Sequence, residues 1–118
     1  MKSYRWQVER EALAGYAEVM GKQSLPILRA WAAPDRPVEA RTAALVALGR
    51  VGQGDPQSVA LLRQALAGPI GDTQLYAAFA LAQLHDRASL LTIEKLAQDN
   101  WVGFFSSAFA AAAAQLRR

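Results

Sequence analysis

Apolar residues recur along this chain at the spacing of one helical face. In the third predicted helix, Ala44, Leu45, Leu48 and Val51 follow Arg41 at helical intervals, the pattern of a buried stripe. No interior stretch alternates between apolar and polar residues as a half-buried strand would. The pattern predicts an all-α chain with helices at about residues 4–20, 24–33, 37–51, 56–67, 73–84, 87–98 and 101–117.

Local chemistry marks the ends of these helices. Asp55-Pro56 combines an N-cap acceptor with a proline at the first helical position. Asp86 is expected to cap the sixth helix, and Asp72 or Thr73 the fifth. Glycines at the expected helix ends favour left-handed C-cap positions, and these are Gly21, Gly52 and Gly68.

The chain also resembles itself at a fixed spacing. Ala47-Leu48-Gly49 aligns with Ala80-Leu81-Ala82, and Ser58 aligns with Ser89 further along each unit. Each unit reads as a polar turn, an Ala-rich helix, a short turn and a Leu-rich helix. The period is about 31–34 residues, which is typical of stacked helical repeats. The sequence therefore predicts three helix pairs followed by an unpaired closing helix.

These units resemble HEAT repeats, particularly the short bacterial form associated with phycobilisome-lyase-like proteins. The residues that carry the resemblance are Asp35, Arg41 and Ala47-Leu48-Gly49, then Gly54-Asp55-Pro56, Val59, Leu62 and Leu66. The arginine typical of the family's first helix is matched by Arg41. Gln74 takes that place in the next unit, and an apolar residue near Phe105 takes it in the last.

The resemblance implies an α-α superhelix, or solenoid, of about three and a half HEAT-like helix pairs forming one domain over residues 1–118. It further implies that the second helix of each pair lines a concave ligand-binding surface. That surface would be built from the second, fourth and sixth predicted helices. Repeats of this kind indicate the fold but not the function, which depends on particular residues.

Composition narrows the class of protein. The chain has 118 residues, 53% hydrophobic and 19% charged, which places it with globular rather than disordered sequences. It contains no cysteine, so disulfides and cysteine-bound metals are excluded. The N-terminal residues carry charges and no apolar signal core, which predicts a cytoplasmic location. The net charge of +3 indicates moderate attraction to anionic partners.

Catalytic chemistry is not predicted. His85 is the only histidine; it lies next to Asp86 in a predicted turn, and no nucleophile or substrate-positioning residue accompanies it. Gly52-Gln53-Gly54 lacks the lysine and hydroxyl residue of a phosphate-binding loop. We therefore expect no enzymatic activity, no cofactor and no metal.

Basic residues on the second helices are the first candidate binding set. Arg29 and Arg63 occupy equivalent positions, so stacking is expected to align them in one column. A continuous basic column would favour contacts with phosphates, but the next equivalent residue is Glu94, with Lys95 beside it. We interpret the set as a mixed-charge site for another protein; it comprises Arg29, Arg63, Gln64, Glu94 and Lys95.

The last helix is the second candidate. No charged residue lies between Trp101 and Leu116, a span of about 24 Å that is shorter than the membrane core of about 30 Å. One face is predicted to pack inward through Phe109 and Leu116, while the other carries small residues that would let another helix approach closely. The candidate oligomer face comprises Gly103, Phe104, Ser107, Ala110 and Ala114. Trp31, on an apolar stripe of the second helix, is predicted to lie in the core.

Together these features predict a small scaffold, adaptor or chaperone-like protein that binds another polypeptide. Contact would be made through the concave face, the C-terminal helix or both, and the partner could be a second copy of the chain. Two alternatives remain open: a nucleic-acid-binding module using Arg29 and Arg63, and an accessory subunit of a bilin-lyase-like enzyme.

Overall fold

A computed structural model describes the backbone of residues 2–69, 71–99 and 103–118, and the side chains of residues 11–69, 71–99 and 106–118. Regular structure in these ranges is helical throughout, with no strand. The all-α prediction is confirmed. No helix in the described ranges is both long enough and apolar enough to cross a membrane.

The helices begin and end close to the predicted positions. In chain order they are α1 Lys2–Met20, α2 Leu25–Trp31, α3 Val38–Val51, α4 Pro56–Leu66, α5 Asp72–Gln83, α6 Leu90–Asp99 and α7 Gly103–Arg117. Short 3₁₀ turns, Gly21–Ser24 and Arg87–Ser89, precede α2 and α6. The second of these turns explains why α6 starts three residues later than predicted. The predicted start of the last helix at residue 101 lies outside the described residues.

The residues that cap the helices match the predicted ones only in part. Asp55 caps α4 as predicted, because its carboxylate accepts a hydrogen bond from the Ser58 backbone N–H at 3.2 Å. For α5 the prediction is wrong: the N-cap residue is Gly71, and Asp72 is the first helical residue. Gly21 is left-handed as predicted, with a φ of +56°.

Two other predicted left-handed glycines are not left-handed. The positive-φ glycines among the described residues are Gly21, Gly54 and Gly71, so Gly52 and Gly68 do not belong to this group. Gly52 ends α3 with a φ of −82°, and a Cβ there would lie 2.5 Å from the Leu48 carbonyl oxygen. A close approach to the backbone therefore explains this glycine better than a left-handed conformation does.

The helices are arranged around one core. The odd-numbered helices pack side by side in the order α1, α3, α5, α7, and the even-numbered helices α2, α4 and α6 each pack onto the odd helix that follows. Large side chains from both sets fill the space between them and are fully buried; these include Leu28, Leu45, Leu48, Leu62, Leu81, Ile93, Phe109 and Leu116.

The odd helices approach each other closely because their contact surfaces carry almost no side-chain volume. Alanines Ala43, Ala47, Ala77 and Ala80 are buried in α3 and α5. At Gly49 the two backbones come so close that an added Cβ would lie 2.9 Å from the Cα of Ala80. Contact between α2 and α4 is much sparser. The odd set is therefore the more tightly spaced of the two.

Candidate functional site

The surface formed by α2, α4 and α6, the even-helix face, holds the arginines singled out from the sequence. A guanidinium nitrogen of Arg29 lies 2.7 Å from a carboxylate oxygen of Asp55, the N-cap of α4. Arg63 lies 2.6 Å from Asp86, at the start of the turn that leads into α6. Each arginine thus links its own helix to the beginning of the next even helix.

A serine completes each of these links. The Ser58 hydroxyl donates to Asp55, and the Ser89 hydroxyl donates to Asp86 at 2.6 Å. In the first unit the equivalent Ser24 donates instead to the Gly21 carbonyl at 2.6 Å. All three serines are buried.

These contacts shift both carboxyl groups in the same direction. The Ser58 hydroxyl, aided by Arg29, holds the pKa of the Asp55 carboxyl below its usual value. The Arg63 guanidinium, aided by Ser89, lowers the pKa of Asp86. Both aspartates are therefore charged at neutral pH and balance the charge of the arginines beside them.

The remaining members of the predicted set differ in their surroundings. Glu94, which stands where Arg29 and Arg63 stand in the earlier units, forms an ion pair with Arg117 of α7. Gln64 and Lys95 are exposed. The structure therefore brings three of the five residues into ion pairs within the chain. Since Asp55 and Asp86 neutralise the arginine column, the geometry does not favour a phosphate track there.

A second repeated contact ties each even helix to the odd helix that follows. The Arg41 Nε donates to the Ala32 carbonyl at 3.1 Å, and the Gln74 Nε2 donates to the Leu66 carbonyl at 2.9 Å. In the last unit Ser106 donates to a carbonyl of α6, that of Ala97, at 2.8 Å. The sequence comparison placed an apolar residue near Phe105 here, one position short of the serine that makes the contact.

The surface formed by α1, α3, α5 and α7, the odd-helix face, carries a groove that the sequence did not predict. Its first hollow, about 310 Å³, is lined by Glu11, Ala14, Thr42, Ala43, Val46, Ala47, Arg50 and Tyr76. Its second, about 360 Å³, is lined by Val46, Tyr76, Phe79, Ala80, Gln83 and Gln115. Val46 and Tyr76 belong to both, so the hollows adjoin.

The groove has an apolar floor and a polar edge. Val46, Tyr76 and Phe79 are half-buried and form much of the floor. Exposed Arg50 lines the first hollow, and exposed Gln83 and half-buried Gln115 line the second. None of these three side chains makes a hydrogen bond or ion pair with another described residue.

The repeat alignment contained a signal for this edge. Arg50 directly follows Ala47-Leu48-Gly49, and Gln83 directly follows the aligned Ala80-Leu81-Ala82. Long polar side chains at equivalent positions of neighbouring helices predict a row of polar groups across those helices. The alignment did not say on which side of the molecule these positions are open, because that depends on how the helices pack.

The last helix presents the two faces predicted for it. Phe109, Ala112 and Leu116 are buried against the preceding helices, whereas the small residues Ser107, Ala110 and Ala114 are exposed. Gly103 begins the helix, and its surroundings and those of Phe104 lie outside the described side chains.

The surroundings of two further residues, Trp31 and His85, bear on the predictions made from the sequence. Trp31 is not a core residue: it is 36% exposed, and the Arg36 guanidinium lies 4.9 Å from its ring centroid. His85 is exposed and left-handed, with a φ of +57°, at the end of α5. In the described part of the chain, no three His, Cys, Asp or Glu side chains are grouped so as to hold a metal ion.

Comparison with protein-family models, with curated proteins and with solved structures finds no match for this chain. The HEAT-like assignment therefore stays a prediction.

Proposed function

We propose that this chain is a small, non-catalytic helical-repeat protein, a scaffold, adaptor or chaperone-like module, that binds another polypeptide. The proposed architecture is a solenoid of about three and a half HEAT-like helix pairs. Contacts that recur from unit to unit support it. The Arg29–Asp55 link is repeated by Arg63–Asp86, and the Arg41 bond to the preceding helix is repeated by Gln74.

We place the partner on the odd-helix face rather than on the even-helix face expected from the resemblance. In a curved two-layer array, the layer whose helices are closer together is the inner, concave one. The odd helices are closer, because Gly49 and the buried alanines let α3 and α5 touch almost backbone to backbone. The even-helix face, by contrast, is spanned by ion pairs that already satisfy its arginines.

The observation that carries the proposal is the groove itself. Its apolar floor of Val46, Tyr76 and Phe79 offers surface that a partner's side chains can cover. The polar edge of Arg50 and Gln83 offers hydrogen-bond donors that have no acceptor within the described chain. An apolar centre with a polar rim is the usual anatomy of a protein-binding surface.

A selection of random peptides on the folded protein tests this proposal. Peptides enriched on the wild type are expected to lose about 10-fold or more in affinity for Tyr76→Ala. Truncating an aromatic residue that is a binding hot spot costs about 2 kcal/mol or more, and a loss of about 1.4 kcal/mol is already tenfold. Affinity for Gln64→Leu, an exposed position on α4 of the even-helix face, should stay within about twofold.

Circular dichroism on each variant separates loss of the groove from loss of the fold. If binding depends on Gln64 and not on Tyr76, the partner sits on the even-helix face and our placement is wrong. If no peptide is enriched on the wild type, the polypeptide-binding proposal itself fails.

The exposed face of α7 supports a second contact, self-association. Ser107, Ala110 and Ala114 present little side-chain volume on a helix whose other face is buried, so a second copy could pack there closely. Light scattering is expected to give a dimer mass for the wild type and a monomer mass for Ala110→Glu. A wild type that is monomeric at high concentration contradicts this contact.

A further inference from the structure

The chemistry of the groove restricts the conformation of the polypeptide that it accepts. Resting on the proposed function, we infer that the odd-helix groove binds a proline-rich segment in the polyproline II conformation, lying across α3 and α5. Three features support this assignment: the spacing of the hollows, the donors along the edge and the aromatic floor.

Spacing is the first feature. The first hollow is lined mainly by residues of α1 and α3 and the second mainly by residues of α5, and the two meet at Val46 and Tyr76. Packed helices are spaced about 8–10 Å apart. Residues i and i+3 of a polyproline II chain lie on the same side and are about 9 Å apart. In a β-strand the same-side residues i and i+2 are about 7 Å apart, which matches the usual spacing of packed helices less well.

The donors along the edge are the second feature. A guanidinium has only donors, and each glutamine amide group offers two N–H bonds, so Arg50, Gln83 and Gln115 together present a row rich in donors. The complement of such a row is a chain with free carbonyl groups. A polyproline II backbone has no internal hydrogen bonds, and proline itself carries a carbonyl but no N–H. A helical ligand uses its backbone carbonyls internally, so only its side chains are left to accept hydrogen bonds from the row.

The aromatic floor is the third feature. Tyr76 and Phe79 are half-buried and line the second hollow, so part of each side chain is accessible to a ligand. Rigid pyrrolidine rings pack on aromatic grooves of this kind, and the segment loses little conformational entropy because it is already extended before binding.

An array of synthetic decapeptides tests the inference. One half carries a fixed Pro-x-x-Pro core with varied flanking residues, and the other carries Ala-x-x-Ala with the same flanks. Fluorescence anisotropy with the full chain is expected to show binding of members of the proline half, and at least about 10-fold weaker binding of their alanine counterparts, because the alanine chain must first be ordered.

A matched pair of variants locates the contact. Gln83→Glu replaces an amide donor of the edge with a carboxylate and is expected to weaken the best proline peptide about 10-fold, since a carbonyl acceptor then faces a negative charge. Gln57→Glu makes the same chemical change on the exposed surface of α4, outside both candidate binding sets, and should leave affinity within about twofold.

The outcomes separate this inference from the proposed function. Equal binding of proline and alanine peptides, or equal loss in the two glutamine variants, overturns the polyproline assignment. If the proline peptides fail while randomly selected peptides bind in a Tyr76-dependent way, the groove binds polypeptides but not in this conformation. If neither group binds, both proposals fall.

Discussion

Replacing Gly49 with alanine gives a sharp test of the close approach between α3 and α5. From helix propensity alone, glycine to alanine inside a helix should stabilise the protein by about 1 kcal/mol. The structure predicts the opposite sign. The new Cβ would lie 2.8 Å from the Ala80 Cβ, 2.9 Å from the Ala80 Cα and 2.7 Å from the Gln83 Oε1.

The magnitude follows from which of these atoms can move. Gln83 is exposed and can rotate away at little cost. The Cα of Ala80 is part of the α5 backbone, so relief there requires the two helices to separate. Overpacking of this kind costs about 1–3 kcal/mol. After subtracting the propensity gain of about 1 kcal/mol, we expect Gly49→Ala to lower the free energy of unfolding by about 1 kcal/mol.

Urea denaturation followed by far-ultraviolet circular dichroism measures this free energy. Gly15→Ala is the matched control, because Gly15 is exposed within α1 and an added Cβ there meets no atom within 4 Å. The control should gain about 1 kcal/mol, so the two variants should differ by about 2 kcal/mol. A Gly49→Ala protein as stable as the wild type would refute the close packing on which our proposal of a concave odd-helix face depends.

Two further predictions concern stability. The pKa values of Asp55 and Asp86 are lowered in the folded chain, so the charged carboxylates stabilise the fold. This stabilisation is complete at a pH well above the ordinary aspartate pKa of 3.8, and it is lost as the pH falls through the lowered pKa values. Chemical denaturation between about pH 6 and pH 2 should therefore show that the free energy of unfolding falls less with acid for the double variant Asp55→Asn/Asp86→Asn than for the wild type. Parallel curves of unfolding free energy against pH for the two proteins would contradict this. His85→Gly should raise the free energy of unfolding by about 0.5–1 kcal/mol, since His85 has a φ of +57°, whereas His85→Ala should not. Equal melting temperatures for these two variants would show that the left-handed strain is absent.

The helix boundaries were predictable because they depend on local interactions. The Asp55 carboxylate and Pro56 start α4 through atoms within three residues of each other. The start of α6 was misplaced because Arg87–Ser89 forms a 3₁₀ turn. Its residue types are also common in the first turn of an α-helix, so the sequence did not distinguish the two. Single-residue conformations were harder to assign: a left-handed position fell on His85, while Gly52 served a close backbone contact instead.

The candidate site was predictable only in part. The equivalence of Arg29 and Arg63 follows from the repeat, and the structure gives both the same kind of partner. What the repeat could not reveal is that Asp55 and Asp86, read as helix caps, also face those arginines from 26 and 23 residues away. The Asp55 carboxylate performs both tasks, whereas the Asp86 side chain makes no capping hydrogen bond to the backbone. At Asp55 a sufficient local explanation concealed a long-range contact.

By itself the sequence determined that the described chain is helical, approximately where each helix begins and ends, and which positions recur from unit to unit. These properties arise from periodicity and capping, which act over a few residues. Only the tertiary structure decided that the even-helix arginines are paired and that Val46, Tyr76 and Gln83 line an open groove. The physical reason is that a face becomes open or closed through the distance between helices, and Gly49 and its alanine neighbours set that distance across a gap of some thirty residues.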